Sequence, residues 1–200
     1  MSTARLGAAP KPPSADDAAF KTELVTLIPH LRAFARTLTG DPTAADDLAQ
    51  DAMMKAWDAR ASYQMGTNMK AWTFMILRNQ FYSEKRRSWR QSQLDQEAAE
   101  RTLVAVDDPE APVALDELRQ ALKTLPEEQR EALILVGAGG FAYEEAAEIC
   151  GCAVGTVKSR VSRARRALQA TLEKGGYGRD GKAAGDAMRS ILADADRLSG

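Results

Sequence analysis

Residues 143–172 read YEEAAEICGCAVGTVKSRVSRARRALQATL: a short helical run, a tight turn at Gly151–Cys152–Ala153, and a longer basic run from Val154. Two short helices around a tight turn, the second one basic, have the form of a helix-turn-helix. On a helical wheel Val157, Val161, Ala164 and Leu168 fall within about 60° of one another, which predicts a core-facing stripe. Ser159, Ser162, Arg163 and Arg166 fall opposite, with Lys158 to one side. A solvated amphipathic helix is the plain alternative, but Lys158 to Leu172 hold five basic residues and no acidic one. Solvated helices usually mix both signs. Short hydroxyls beside long cations suit a helix lying in the major groove, where Arg pairs with guanine edges and Ser or Lys reach bases and phosphates.

Working upstream, Leu115, Leu118, Ala121, Leu122 and Leu125 share one helical period that Pro126 ends, and Glu127 to Val136 form the next helix. Gly137, Gly139 and Gly140 break it. Residues 91–113 lose periodicity, turn acidic and contain Pro109 and Pro112, the composition of a linker. From Asp16 to Arg90 the pattern is helical again. Leu24, Leu27, Ile28, Leu31, Phe34, Ala35 and Leu38 recur at three- and four-residue steps, with Pro29 marking a kink or a new start. Gly40, Asp41 and Pro42 break the chain, and Thr43 is placed to cap a helix carrying Leu48, Ala52, Met53 and Trp57. Ser62–Asn68 reads as a loop, and a long helix follows from Met69 to about Trp89. No strand-like alternation occurs. The expectation is an all-α protein of two small helical domains, residues 16–90 and 114–174, joined by a flexible acidic linker at 91–113. Residues 1–15, with three prolines, are expected to be disordered. The region 175–200 is glycine-rich and then amphipathic, with Met188, Ile191, Leu192, Ala195 and Leu198 on one face; so short a helix needs a surface to dock on.

On the helix beginning at Met69, Trp72 and Phe81 accompany Arg78, Asn79, Lys85, Arg86, Arg87 and Arg90. Aromatic platforms among cations suit single-stranded DNA, although helical spacing alone makes Trp72 and Phe81 core residues more readily. The cluster around Arg87 reads as a phosphate-binding surface. The whole chain balances 27 basic against 28 acidic residues. That balance hides segregation: acid at Asp41–Asp51 and Asp95–Glu117, base at Arg78–Arg90 and Lys158–Arg166. Two basic patches in a near-neutral chain point to two contacts with one polyanion.

A hydrophobic fraction of 44% is enough for a core, and aromatics at 6% with abundant Ala, Leu, Arg and Glu favour helices. No stretch approaches the roughly 18 apolar residues of a membrane span, and MSTARLGAAPKPPSADD lacks a secretory apolar core. A cytoplasmic protein is expected. His30 is the sole histidine, and Cys150 and Cys152 stand one residue apart, a poor disulfide geometry and an incomplete metal set. No catalytic, cofactor or metal site is expected, and an enzyme is the least fitting class.

These segments, in this order and spacing, resemble the extracytoplasmic-function (ECF) sigma factors of RNA polymerase. DDLAQDAMMKAW (Asp46–Trp57) is similar to the family's core-polymerase motif in region 2, and AWTFMILRNQF (Ala71–Phe81) to its −10 helix. LPEEQREALILVGAGGFAYEEAAEICGCAVGTVKSRVSRARRAL (Leu125–Leu168) is similar to region 4. GTNM and the stretch from Glu131 to Arg160 resemble the general-stress-response group, EcfG. The resemblance implies that Asp47, Leu48, Gln50, Asp51 and Trp57 meet the clamp helices of the β′ subunit. It implies that Asn79, with the loop Tyr63–Asn68, holds a base flipped from the −10 element, beside Trp72, Arg78, Lys85, Arg86 and Arg87. Lys158, Ser159, Ser162 and Arg163 would read the −35 element, with Arg165 and Arg166 on phosphates. Promoter DNA, core polymerase and a NepR-type anti-sigma protein are the implied partners. Ala142 departs from the family's capping Ser, Ser162 is smaller than in some relatives, and residues 175–200 lie outside the pattern. Two other readings compete. A sigma-like mimic that titrates an anti-sigma protein would need no basic recognition helix, and a helix-turn-helix repressor would need no DDLAQDAMMKAW surface.

Overall fold

A computed structural model of the chain describes residues 15–94, 118 and 120–174. Its helices are α1 (Ala15–Thr26), α2 (Ile28–Thr39), α3 (Pro42–Asp58), α4 (Met69–Leu94), α5 (Glu127–Gly137), α6 (Tyr143–Cys150) and α7 (Val154–Lys174). A 3-10 turn at Arg60–Ser62 follows α3, and residues 120–123 are helical. No strand occurs among the described residues, as an all-α chain requires. The expected disordered N-terminus, most of the linker and the amphipathic segment within 175–200 lie outside the described residues.

Local chemistry sets the boundaries. Pro29 stands in the first turn of α2, so it begins a new helix rather than kinking an old one; its missing N–H costs nothing there. At α3 the expected cap is corrected. Asp41, with extended backbone, accepts from Ala44 N at 2.7 Å, and Pro42 opens the helix behind it, leaving Thr43 inside the first turn. Helix α4 runs on to Leu94, four residues into the stretch read as linker. Arg90, Gln91, Gln93 and Leu94 are good helix formers, so nothing stops it at Trp89.

Helices α1 to α4 enclose Phe20, Leu24, Leu31, Phe34, Leu48, Ala52 and Leu77; α5 to α7 enclose Leu135, Val136, Ile149, Val157, Val161, Ala164 and Leu168. The α7 stripe expected from the wheel is at most 1% exposed at each of its four positions. Gly151 ends α6 in the left-handed conformation (φ +62°), which a side chain would strain. Gly139 serves close approach, since a Cβ there would stand 2.5 Å from Leu135 O.

Helical periodicity says nothing of how the two units sit, and in the structure they are closed on each other. Helices α2 and α4 pack against α5 and α6. Phe34 stacks on Phe74 (4.8 Å between centroids), and Phe74 meets Phe141 edge-on at 5.0 Å. This aromatic file carries one core into the other.

Candidate nucleic-acid interface

Helix α7 owes its orientation to its apolar stripe. With Val157, Val161, Ala164 and Leu168 inward, Lys158, Ser162, Arg163 and Arg166 stand exposed on the outer side, and Ser159 and Arg165 are half-buried on its flanks. Ser159 Oγ donates to Thr156 O at 2.9 Å, so its hydroxyl begins as a helix-internal group. The Lys158 ammonium lies 5.5 Å from the Tyr143 ring, a contact worth little at an exposed site and easily exchanged for a phosphate. Arg160 is not part of this face; it pairs with Glu128 and reaches Cys152 Sγ at 3.6 Å, fastening α7 to α5. Cys150 is buried and free, and burial first, then the Glu131 charge, pushes its thiol up to about 12. It fills space and stays protonated. Among the described residues no group of His, Cys, Asp and Glu is arranged to hold a metal ion, and no helix is long and apolar enough to cross a membrane.

Ahead of α7, Ala142 has no side chain with which to cap α6. Glu145 supplies half of the usual reciprocal pair instead, accepting from Ala142 N at 2.9 Å. Its other oxygen accepts from Asn68 Nδ2 at 2.5 Å, so one carboxylate ties the α6 start to the loop before α4.

That loop is built from within. Tyr63 is 8% exposed, packs against Phe20 and Trp72, and donates its hydroxyl to Thr67 O at 2.7 Å. Tyr63 therefore shapes the loop and has no free face for a base, a correction to its expected contact. Asn68 Oδ1 accepts from Ala71 N at 3.0 Å and starts α4. Trp72 is half-buried beside Phe20, at 6.1 Å. Asn79, Arg86 and Arg87 are exposed, and the wheel puts Asn79 and Arg86 on the flank that Trp72 begins.

Arg78 and Lys85 point elsewhere. Arg78 Nε donates to Glu131 Oε1 at 2.7 Å and Nη2 to Oε2 at 3.3 Å, while the Tyr82 hydroxyl also donates to Oε2 at 3.3 Å. Lys85 pairs with Glu127. These two expected strand contacts are thus engaged within the molecule. Burial is the largest influence on each of these three groups. It lifts the Glu131 carboxyl above its ordinary range despite Arg78, and it raises the Tyr82 hydroxyl. For Arg78 burial acts downward, but the Glu131 hydrogen bond and charge outweigh it and leave the guanidinium raised.

On the far side, α1 and α3 border a groove of about 1220 Å³ lined by Val25, Ile28, Met53, Met54 and Trp57, with Gln50 at its edge. Val25 and Met54 are 48% and 59% exposed. Arg60 lies 4.5 Å over the Trp57 ring and pairs with Asp17 at 2.7 Å, fixing one rim. Asp47, Gln50 and Asp51 are exposed beside it, but Leu48 is 4% exposed and faces the core. Leu48 belongs to the core beneath α3 and presents no surface to a partner, a correction to its expected role. Periodicity marked Met53 as helix-face apolar but missed Val25 and Met54, whose only signal was apolar character at positions left unpartnered.

Comparison with known proteins agrees with this geometry. Residues 24–91 match the family described as Sigma-70 region 2, and residues 115–168 match Sigma-70, region 4. The ECF RNA polymerase sigma factor EcfG of Rhodopseudomonas palustris (strain TIE-1) is 44% identical over 175 residues, 86% of this chain and 94% of that protein. The ECF RNA polymerase sigma-E factor of Escherichia coli (strain K12) is 34% identical over 61% of this chain and 70% of its own length. Among solved structures, the sigma factor RpoE of Bartonella quintana, crystallised with the anti-sigma factor NepR, superposes with a TM-score of 0.70 at 47% identity, covering 78% of this chain and 98% of that one. CnrH, solved with the cytosolic domain of CnrY, gives 0.58 at 25% identity over 80% of this chain and 90% of its own. With both regions present in order and a full-length ECF relative at 44% identity, the chain belongs to the extracytoplasmic-function sigma factors, non-enzymatic proteins that direct RNA polymerase to promoters.

Proposed function

We propose that the chain works through three surfaces, two that read the promoter and one that holds core polymerase, and serves general stress-response genes in the cytoplasm. The outer side of α7, with Lys158, Ser159, Ser162 and Arg163, enters the major groove of the −35 element, and Arg165 and Arg166 hold its phosphates. Asn79, at the mouth of the loop Tyr63–Asn68, takes a base flipped from the −10 element as the strands part, with Trp72, Arg86 and Arg87 along the strand. The α1–α3 groove, with Asp47, Gln50, Asp51 and Trp57, receives the β′ clamp helices of core polymerase. Free energy comes from binding alone. The observation that carries this reading is the clean division of α7 into a buried apolar stripe and an exposed basic face. The stress-response assignment rests on the likeness to EcfG. A NepR-type anti-sigma partner rests on the likeness to RpoE, whose structure was solved with NepR.

Arg163→Ala tests the α7 assignment. Binding to a cognate −35 duplex is expected to weaken by about 1–3 kcal/mol, with relaxed discrimination at one base pair. Equal weakening on unrelated duplex would reduce Arg163 to a phosphate contact and overturn its reading role.

A further inference from the structure

On α4 the residues Phe74, Arg78, Tyr82, Lys85 and Trp89 succeed one another at four-, four-, three- and four-residue steps, which places them on one stripe of the helix. The stripe alternates ring and cation. The second unit covers it in antiparallel order: Phe141 on Phe74, Glu131 on Arg78 and Tyr82, Glu127 on Lys85. Trp89, one turn beyond Lys85, is 62% exposed, beside the exposed Arg86 and Arg90. The cover therefore ends partway along a surface that continues.

The covering groups are unusual for a packing interface. The Glu131 side chain is fully buried and that of Arg78 is 16% exposed. Burying an ion pair costs as much as its attraction returns, and apolar residues of similar size would pack as well. Glu127 and Glu131 lie one turn apart on α5, facing Lys85 and Arg78, seven residues or about two turns apart on α4, with the Arg78 guanidinium 4.6 Å from the Tyr82 ring between them. Carboxylate oxygens on a cation-and-ring stripe are the contacts that phosphates of a single strand would make.

We propose that Glu127 and Glu131 stand in for phosphates on an α4 stripe formed by Arg78, Tyr82, Lys85 and Trp89, so that the chain carries its own competitor for single-stranded nucleic acid. The inference deepens the −10 reading above and rests on it. In the closed molecule Arg78 and Lys85 are spent on carboxylates, while the exposed end of the stripe at Trp89, beside Arg86 and Arg90, stays open to a strand. Separation of the units returns both cations to the strand beside Asn79.

The test uses the full-length chain and fluorescence anisotropy with a short, mixed-sequence, fluorescein-labelled single-stranded DNA. With an open population of about a tenth or less in the parent, Glu127→Gln/Glu131→Gln binds at least about tenfold tighter. The log–log salt dependence also steepens, by about 0.7 for each cation released. Glu144→Gln/Glu148→Gln removes the same charge from exposed positions of α6 and is expected to leave affinity and slope near the parent's. Glu127→Gln alone, at a partly exposed position, keeps the test valid should the double variant fold poorly; a slope steeper by about 0.7 is expected. Unchanged affinity and slope in the α5 variants, or an equal gain in the α6 control, overturns the proposal. No polymerase enters this readout, so that failure leaves the initiation role standing, and run-off transcription tests that role separately.

Discussion

Glu131→Ala is expected to lower the free energy of unfolding by about 3–5 kcal/mol, measured by urea denaturation. The substitution leaves the largely buried Arg78 guanidinium without its carboxylate partner and the Tyr82 hydroxyl without its acceptor. Arg78→Leu/Glu131→Leu removes both charges and is expected to recover most of that loss, because the pair's attraction does little more than offset its burial. The pH dependence follows from the raised Glu131 carboxyl. A carboxyl raised on folding contributes stability that is full below its ordinary range and falls away as pH climbs through the raised value. The double-leucine variant is expected to lack that descending limb. Equal stability of Glu131→Ala and the parent would mean that the pair forms no part of the closed core.

Leu168→Ala is expected to cost about 2–5 kcal/mol. Leu168 is 1% exposed at the C-terminal end of the stripe that seats α7, and its truncation opens a cavity under the helix that carries Arg163 and Arg166. Its neighbour Ala167 is exposed, and Ala167→Ser is expected to stay within about 0.5 kcal/mol. Thermal unfolding of the two variants separates the stripe from the outer face. A small loss at Leu168 would mean that α7 is held mainly by its ends.

Much of this architecture is legible in the sequence because it depends on local periodicity. The four α7 core positions and the span of α6 follow from a 3.6-residue repeat interrupted by Gly151, and tertiary packing had only to agree with it. The cap of α3 was less legible: Asp41 and Thr43 both suit capping, and Pro42 decides between them by fixing the first helical residue. Leu48 and Tyr63 were drawn into binding roles by their motifs, yet each is consumed by the core beneath those motifs. Glu131 was not legible at all. A glutamate in EEQREALILVG reads as solvent-facing, and it is Arg78 and Tyr82, 53 and 49 residues earlier, that make its burial tolerable. The closed packing of the units belongs to that same class of long-range pairing. Val25 and Met54 likewise became informative only when the groove joined them, since single exposed apolar residues are ordinary.

The most direct test is run-off transcription with purified core RNA polymerase, the full-length chain, and a template bearing −35 and −10 elements of a stress promoter. A single transcript from the promoter's start, dependent on the added chain, is the expected result. No promoter-specific RNA from a chain that is folded by circular dichroism and bound to core polymerase would contradict the account at its base.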